Sequence, residues 1–357
     1  MTSCATRAPR NQINLPFEPI SVSRSNSTDF GNCQYFSPFT DDLNVPSKYS
    51  QSERSKDTIN NESHARYREA TESIYAYTTY MVSLVDDISS DLTSTQSIRC
   101  YSENLLQWAD RGALSTTLTS KTGKAVRKWA LASLAASYVR LNLSNQLTQK
   151  QQLAIQNWLV QLAELVISDY SDRAERLRNN HDYWAAWAVM NVAAISHNTS
   201  MYNWAKKVWL LAMSDVQSTG LLHNEMKRGK RAREYQNFAT MPLVGLAAFI
   251  AANEDSSDMS VEWQSYYRLV STTVKTITDS SGIEELAGKQ NSYKPLQGGR
   301  IAWVPIHLSF ANGSSPAVLC SMSELVASRY TQGYSRLGGK TGTYYAWRKA
   351  CKSDVVY

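Results

Sequence analysis

The sequence predicts an all-α fold built from antiparallel helix pairs, and two observations support this prediction. Apolar residues recur with a 3.6-residue period over most of the chain after residue 60, and no segment alternates apolar and polar residues over the length of a strand. Short connections rich in Gly, Ser, Asn and Asp separate the periodic segments. Eight or more predicted helices joined in this way indicate either a solenoid or a closed toroid. The lack of a fixed-period repeat counts against the regular solenoids.

The elements follow from this pattern in order. Residues 1–60 are rich in Ser, Asn, Pro and Thr and show little periodicity, so we expect an irregular N-terminal arm on the surface. One helical domain is predicted over residues 61–357, with residues 280–299 as a loop. The predicted helices span residues 64–85, 98–110, 124–141, 150–170, 183–195, 201–216, 235–252 and 261–278.

Composition favours a polar, anionic ligand. The chain of 357 residues has 10 Trp and 20 Tyr against 7 Phe, and aromatic rings with a polar group suit half-wet surfaces such as carbohydrate grooves. The net charge is +6, and residues 227–233 hold five of the cations. Such a cluster favours a polyuronate, a phosphate or a nucleic acid. No recognised nucleic-acid motif is present, so we expect no nucleic-acid partner.

Other sequence features restrict the compartment and the chemistry. No apolar run approaches the length of a membrane span, so none is expected. No signal peptide opens the chain, so the protein is either cytoplasmic or given without a removed leader. The five cysteines show no CxxC or Cys/His spacing, so we expect no zinc site, and spacing alone leaves their pairing open.

Residues 179–187 combine amides, an imidazole, a phenol and two indoles. On a helix, Asn180, Trp184, Trp187 and Asn191 share one face. Amides bind hydroxyl or carboxylate oxygens and indoles stack on sugar rings, so this face could form the floor of a sugar site. The alternative is that both Trp side chains belong to the core and that His181 is a buried, hydrogen-bonded histidine.

A second group of residues suggests acid–base chemistry. Arg228, Arg231 and Tyr235 have the spacing i, i+3 and i+7 and are predicted to share one face at the start of a helix. Nearby guanidinium groups should lower the pKa of the Tyr235 phenol from its usual value of about 10. The alternative is a solvated basic helix followed by an ordinary tyrosine, and Gly229 loosens the predicted geometry.

Taken together, these segments resemble the mannuronate-type alginate lyases of polysaccharide lyase family 5. The Asn-Asn-His-x-Tyr-Trp segment, followed by Lys-Arg and a Tyr, is the most specific part. The matching stretches are residues 47–49, 127–131, 179–187, 224–228, 235–237 and 336–339.

The resemblance implies an incomplete α/α toroid and β-elimination at a uronic acid, without a metal or cofactor. A base removes the C5 proton, the 4-O-glycosidic bond breaks and an unsaturated sugar end remains. Removal of that proton places charge beside the sugar carboxylate, which must be neutralised. By resemblance, Asn180 and Arg228 neutralise the carboxylate, Tyr235 is the catalytic tyrosine and His181 is the catalytic histidine.

The resemblance also implies how substrate is held. Lys48 and Tyr49 match the family's mobile lid, and we assign Lys48, Tyr49, Trp184 and Arg231 to substrate binding. We expect a monomer that acts on an anionic polysaccharide such as alginate or polymannuronate.

The cysteines bear on the compartment once the resemblance is considered. Cys33 and Cys100 lie near the positions of a family disulfide, so that bond is predicted. A disulfide requires an oxidising compartment, and we therefore expect a periplasmic or secreted protein.

Departures from the family pattern leave the preferred polymer undetermined. Asp182 stands where relatives commonly have Ser, and it could raise the pKa of His181 or repel an anionic chain. Glu234 and Gln236, which flank Tyr235, also differ. Polymannuronate, acetylated alginate and polyglucuronate remain candidates. Two other functions remain alternatives: a non-catalytic uronate-binding protein, and a toroid glycoside hydrolase, for which the adjacent pairs Asp86-Asp87 and Glu284-Glu285 provide no clear carboxylate pair.

Overall fold

The structure is a computed structural model that describes residues 12–22, 32–50, 52, 58–91, 95–291, 296–311, 313–329, 333–347 and 351. Within these ranges the chain forms twelve α-helices and two two-residue strands. The helices are α1 Asn61–Ser90, α2 Thr95–Asp110, α3 Lys121–Tyr138, α4 Gln149–Tyr170, α5 Asn180–Ser196, α6 Thr199–Ser214, α7 His223–Met226, α8 Ala232–Asn253, α9 Ser260–Thr278, α10 Ser281–Ala287, α11 Trp303–Phe310 and α12 Pro316–Arg329.

All eight predicted helices are present, as α1 to α6, α8 and α9. Several begin a few residues earlier than predicted because polar residues cap them. In α5, for example, Asn179 and Asp182 form a reciprocal capping box that satisfies backbone N–H groups, and the helix begins three residues before the predicted position 183. The prediction of a loop over residues 280–299 is wrong for α10, and α11 and α12 were not predicted. With seven and eight residues, α10 and α11 are too short for a helical period to be recognised.

The helices are arranged in two layers. Sequential helices pack as pairs, α1 with α2, α3 with α4, α5 with α6, α8 with α9 and α11 with α12. One member of each pair also contacts its counterpart in the next pair, which gives an inner series α1, α3, α5, α8 and α11. The outer helices make similar contacts between α2 and α4, α6 and α9, and α9 and α12. This is the α/α toroid that was predicted.

Helix α5 is the middle helix of the inner series, in contact with α3, α4, α6 and α8. Its Trp184 and Trp187 are fully buried, at 0% and 1% exposure. Both indole N–H groups donate to backbone carbonyls, Trp184 to Phe238 at 3.1 Å and Trp187 to Arg336 at 2.7 Å. A helix that is apolar on all sides belongs to the core. The assignment of Trp184 to substrate binding is therefore wrong, because no part of its ring is accessible to a sugar.

The described part of the N-terminal arm, residues 12–22 and 32–50, packs on the toroid. Strand β1, Ile20–Ser21, pairs in parallel with strand β2, Leu141–Asn142. Farther along the arm, Leu43 is fully buried against the core. The predicted disulfide between Cys33 and Cys100 is present, and it joins the arm to α2. A second disulfide, Cys320–Cys351, was not predicted. The arm and the single domain over residues 61–357 remain predictions as divisions of the chain.

One apolar helical segment, Gly229–Asn253, satisfies the length and composition of a membrane span, contrary to the expectation that no run approaches this length. Its most apolar window is 78% buried inside the protein. Because α8 packs against α5, α9 and α11, its apolar residues belong to the core of the toroid.

Candidate active site

Two tyrosine hydroxyls meet where the arm lies against α8. The Tyr49 oxygen lies 2.8 Å from the Tyr235 oxygen, and Arg231 Nη1 donates to Tyr49 at 3.0 Å. Two backbone hydrogen bonds fix the arm next to this contact: the Ser50 N–H donates to the Thr58 carbonyl, and the Asn60 N–H donates to the Lys48 carbonyl. These two bonds hold residues 48–50 against residues 58–60, just before α1, and so place Tyr49 in reach of Tyr235.

The two arginines lie on the Tyr235 ring as the sequence suggested, but by a different backbone. Gly229–Arg231 form a 3₁₀ turn before α8, so Arg228, Arg231 and Tyr235 do not share one continuous α-helix. Gly229 has a φ of 51°, a left-handed conformation that glycine adopts without steric cost. The Arg228 guanidinium lies 3.8 Å from the centre of the Tyr235 ring, and that of Arg231 lies 5.2 Å from it.

The prediction that these cations lower the pKa of Tyr235 is wrong. Burial raises the pKa of the Tyr235 phenol, the Tyr49 oxygen adds to this effect, and the opposing charges of Arg228 and Arg231 do not compensate. The lowered pKa belongs to Tyr49: burial opposes its ionisation, but Lys48, the hydrogen bond from Tyr235 and Arg231 outweigh burial. Tyr235 is therefore the donor in the pair, and Tyr49 is the better anion.

Lys48 adds a third cation beside this tyrosine pair. Its Nζ lies 5.4 Å from the centre of the Tyr49 ring and 5.5 Å from that of Tyr67. Burial lowers the pKa of the Lys48 ammonium, although the Tyr49 charge favours its protonated form. Lys48, Tyr49 and Arg231 are thus brought together, whereas Trp184 is not part of the group. Whether residues 48 and 49 move as a lid stays a prediction.

His181 is held by a lysine on the facing helix α3. Lys128 Nζ lies 2.8 Å from His181 Nδ1 and 3.3 Å from its carbonyl oxygen. Burial and the Lys128 charge together lower the pKa of His181 well below its usual value, so the ring is neutral at pH 7. Burial lowers the pKa of the Lys128 amine well below its usual value, but the amine can donate to Nδ1 in either state, and with Lys128 as the donor the ring proton lies on Nε2. The histidine is then a neutral hydrogen-bond donor at Nε2.

Asp182 does not affect His181 as the sequence suggested. Its carboxylate accepts from the backbone N–H of Asn179 at 2.8 Å, which completes the capping box of α5, and it pairs with Arg173 at 2.7 Å. The pKa of His181 falls rather than rises. Because Asp182 is 4% exposed and already bound to a cation, it presents little charge to an approaching anion.

The residues that flank Tyr235 also have structural partners. The Glu234 carboxylate accepts hydrogen bonds from Nη2 and Nε of Arg231, at 2.9 and 3.1 Å. These bonds orient the guanidinium that donates to Tyr49. Gln236 is buried and bonds to the backbone of Leu222 and Gly220. The basic run 227–233 is not one anion site, because Arg233 is buried and donates to backbone carbonyls at the end of α9.

The sequence suggested no role for Arg336. Its guanidinium lies against Trp129, which in turn lies next to His181. The Arg336 guanidinium is 4.2 Å from the centre of the Trp129 ring, and Trp129 is 5.6 Å from the His181 ring. The turn after Arg336 holds it there: Gly338 has a φ of 83°, and a Cβ at this position would lie 2.6 Å from the Ala136 carbonyl oxygen. The two adjacent glycines were the available signal, because they allow close approach to α3.

Glu225 and Lys128 were also missed as site residues, although both lie in the stretches that carry the resemblance. Glu225 is 1% exposed and accepts hydrogen bonds from the backbone N–H and the side-chain amide of Asn180. Lys128 is fully buried on α3, where it directly precedes the apolar run Trp129–Ala132. An ionisable residue inside an apolar periodic segment was the sequence signal for Lys128, since burying a charge requires a partner. Glu225 lies outside the periodic segments, so no such signal marked it in the sequence.

A surface pocket of about 640 Å³ lies between the start of α5, the end of α6 and α7. None of the eight residues predicted for catalysis or substrate binding lines it. Its cations Arg176 and Lys227 are balanced by Glu175 and Asp215, so it has no clear preference for an anion. The tyrosine pair and its surrounding cations therefore form the better candidate site.

Comparison with known proteins agrees with the resemblance read from the sequence. The family model described as alginate lyase matches residues 44–282. An alginate lyase of Pseudomonas syringae pv. tomato is 35% identical over 254 residues, which cover 70% of this chain and 66% of the relative. One of Cobetia marina is 32% identical over 294 residues, covering 81% and 78%. The chain thus spans slightly less than two thirds of the first relative's length.

Solved structures support the same fold. The crystal structure of alginate lyase A1-III from Sphingomonas species A1 matches with a TM-score of 0.65 and 16% identity, covering 92% of this chain and 88% of that one. A Tyr-to-Phe variant of that enzyme complexed with a tetrasaccharide matches with a TM-score of 0.67, covering 88% and 86%. At this level of identity the structures are evidence for the toroid alone.

Proposed function

Since the chain belongs to the alginate lyase family, we propose that it cleaves the 4-O-glycosidic bond of polymannuronate in alginate by β-elimination. The products carry unsaturated uronic-acid ends. The observation that carries this proposal is the 2.8 Å contact between the Tyr49 and Tyr235 hydroxyls, with the guanidinium groups of Arg228 and Arg231 beside it. Such a pair can move protons next to a carboxylate that the cations hold.

Neutralising the sugar carboxylate is the first task of the proposed site. The C5 proton is only weakly acidic because its removal adds negative charge next to that carboxylate. In this proposal Arg228 and Asn180 bind the carboxylate, and the cations Lys48, Arg231 and Arg336 hold the remaining charges of the chain. The buried surroundings strengthen these interactions, since charge pairs are stronger at low dielectric constant.

Proton transfer is assigned to Tyr235, with Tyr49 as its partner. When the pair has lost one proton, the charge resides on Tyr49, whose pKa is the lower of the two. Transfer of the remaining proton from Tyr235 to Tyr49 makes the Tyr235 phenolate. This phenolate takes the C5 proton, the electron pair forms the C4–C5 double bond, and the C4–O bond breaks. Tyr235 then returns the proton to the leaving oxygen, which in mannuronate lies on the same side of the ring.

His181 is proposed as a hydrogen-bond donor that positions the reacting sugar. Its lowered pKa and the contact with Lys128 Nζ favour a neutral ring with the proton on Nε2. A group in that state donates to a sugar or carboxylate oxygen but does not remove the C5 proton. The reaction is thus divided between a donor on α5 and an acid–base pair shared by α8 and the arm.

One assay distinguishes this function from its alternatives. Incubation with polymannuronate should increase the near-ultraviolet absorbance as unsaturated ends form. New reducing ends without that absorbance would indicate hydrolysis, and binding without either signal would indicate a uronate-binding protein. Polyguluronate is the matched control polymer, because its C5 proton lies on the opposite side of the ring and one tyrosine cannot serve both steps.

The same assay identifies the preferred polymer. Mannuronate and glucuronate differ at C2 rather than at C4 or C5, so the acid–base geometry suits both. We propose polymannuronate as the preferred substrate, and the ratio of kcat/KM values for polymannuronate, acetylated alginate and polyglucuronate tests this preference. We also propose a periplasmic or secreted monomer, since the disulfides Cys33–Cys100 and Cys320–Cys351 are consistent with an oxidising compartment.

A further inference from the structure

Glu225 and Asn180 form a buried pair one turn before Arg228, whose backbone N–H donates to the Glu225 carbonyl at 3.1 Å. The Glu225 carboxylate accepts from the backbone N–H of Asn180 at 2.6 Å and from its Nδ2 at 3.0 and 3.2 Å. Asn180 is the first residue of α5, where backbone N–H groups lack partners within the helix and a carboxylate is favoured. Glu225 is 1% exposed and Asn180 is 3% exposed, so this contact is shielded from water.

This arrangement fixes the orientation of the Asn180 side-chain amide. An ionised carboxylate only accepts hydrogen bonds, so the NH₂ group of Asn180 must face Glu225. The Oδ1 atom then points away, and it is buried without a hydrogen-bond partner among the described residues. An amide oxygen cannot neutralise a uronate carboxylate, since both groups are acceptors. In this orientation Asn180 cannot perform the role that its position suggests.

We propose that Glu225 is a positioning residue that controls, by gaining a proton, which end of the Asn180 amide is presented to the uronate carboxylate. Protonated Glu225 still accepts the backbone N–H through one oxygen, and its O–H donates to Oδ1 of the rotated amide. The NH₂ group of Asn180 is then turned toward the substrate. This inference rests on the proposed function, because it concerns the carboxylate of the same sugar.

The charges around Glu225 support a proton exchange near neutral pH. Burial raises the pKa of Glu225 to about 7, against the hydrogen bonds from Asn180 and the charge of Arg228, and Asp182 on α5 raises it further. Burial and, after it, the Glu225 charge raise the pKa of Tyr183, which is also on α5. A bound uronate adds another negative charge, so binding favours protonated Glu225. The protonated form predominates below about pH 7, and affinity should therefore fall as pH rises.

The test compares binding in two otherwise identical chains. Both carry Tyr235→Phe, which prevents turnover, and one also carries Glu225→Gln. A glutamine can accept the Asn180 backbone N–H and donate to Oδ1 at every pH, as the protonated glutamate would. We expect the Kd for a mannuronate tetramer to rise about tenfold between pH 6 and 8.5 with Glu225 and to stay nearly constant with Gln. Glu164→Gln, an exposed position on α4, is the matched control and should keep the rise.

Calorimetry on the same two chains provides a second measurement, which follows protons instead of affinity. At pH 7.5, tetramer binding in two buffers of different ionisation enthalpy should show proton uptake with Glu225 and much less with Gln. Lys48, Lys128 and Tyr49 are the same in both chains, so the difference reports Glu225. An equal pH dependence of Kd in both chains, or no proton uptake with Glu225, overturns the inference. Failure of the proposed function would instead appear as no absorbance change when the unmodified protein meets polymannuronate.

Discussion

The Tyr49 hydroxyl lies 2.8 Å from the Tyr235 hydroxyl, although 186 residues separate them in the chain. The two oxygens have opposite tendencies, because burial raises the pKa of Tyr235 while Lys48, Tyr235 and Arg231 lower that of Tyr49 against burial. The contact therefore joins a phenol that holds its proton to one that loses it more readily. This relationship determines the expected behaviour of the candidate site.

Replacing Tyr235 with Phe should abolish elimination and leave polymer binding intact. The substitution removes one oxygen and keeps the ring against which Arg228 packs. We expect kcat on polymannuronate to fall by about 10³-fold or more, in line with the loss of an acid–base group that serves two steps. Absorbance at saturating polymer measures the rate, and calorimetry measures the binding. Tyr138→Phe on α3 is the control, and near-normal activity of Tyr235→Phe would show that another group is the base.

Replacing Arg231 with Ala should shift the activity toward alkaline pH. Arg231 donates to the Tyr49 oxygen and helps to lower the pKa of Tyr49 below its usual value. Activity that needs the ionised pair should rise as pH increases through that pKa, and removing the cation should move this rise upward by about one pH unit. The rate at saturating polymer between pH 6 and 10 measures the effect. Arg300→Ala removes an exposed cation that also pairs with Glu234, and it should leave the profile in place.

Trp184 should contribute to stability and not to binding. Trp184→Phe removes the indole N–H that donates to the Phe238 carbonyl and leaves a smaller ring in a fully buried position. We expect the free energy of unfolding to fall by about 1–3 kcal/mol, and Trp184→Ala should cost about 3–5 kcal/mol. Chemical denaturation measures the loss. A Kd for polymannuronate that weakens much more than the stability loss explains would return Trp184 to the sugar site.

Breaking the Cys33–Cys100 disulfide should impair the site as well as the fold. The bond joins the arm that carries Tyr49 to α2, and 67 residues separate its cysteines. Replacing both cysteines with Ser should lower the free energy of unfolding by about 2–4 kcal/mol. The pair Cys320 and Cys351 is the matched control. We expect the first double variant to lose more activity than the second at a temperature where both remain folded by circular dichroism, and equal losses would argue against a role for the arm.

Much of the fold could be predicted because helical periodicity is a local property of the chain. Helices α1 to α6, α8 and α9 each bury one face or all faces over at least four turns, so their apolar spacing is visible in the sequence. Burial of a whole helix is less visible. On α5, Trp184 could belong to a core or to a sugar groove, and only the contacts with four neighbouring helices decide for the core.

Sequence spacing supplied the candidate site residues but not their electrostatics. Asn180, His181, Arg228 and Tyr235 lie in stretches whose order along the chain identified them. The pKa of Tyr235 was predicted in the wrong direction because sequence spacing shows the nearby cations but not the desolvation of the phenol. Glu225 was missed for a related reason, since its importance depends on which atoms of Asn180 it contacts.

The arm also has a consequence for how this toroid could be altered. Tyr49 comes from a segment that precedes the first helix, while Tyr235, Arg228 and His181 come from the helical ring and its connections. The tyrosine pair is therefore split between two stretches of chain that could vary independently. Grafting an arm from a related toroid would exchange one half of the proposed proton-transfer pair without changing the helical scaffold. The working pH could then be transferred between proteins by exchanging this segment alone.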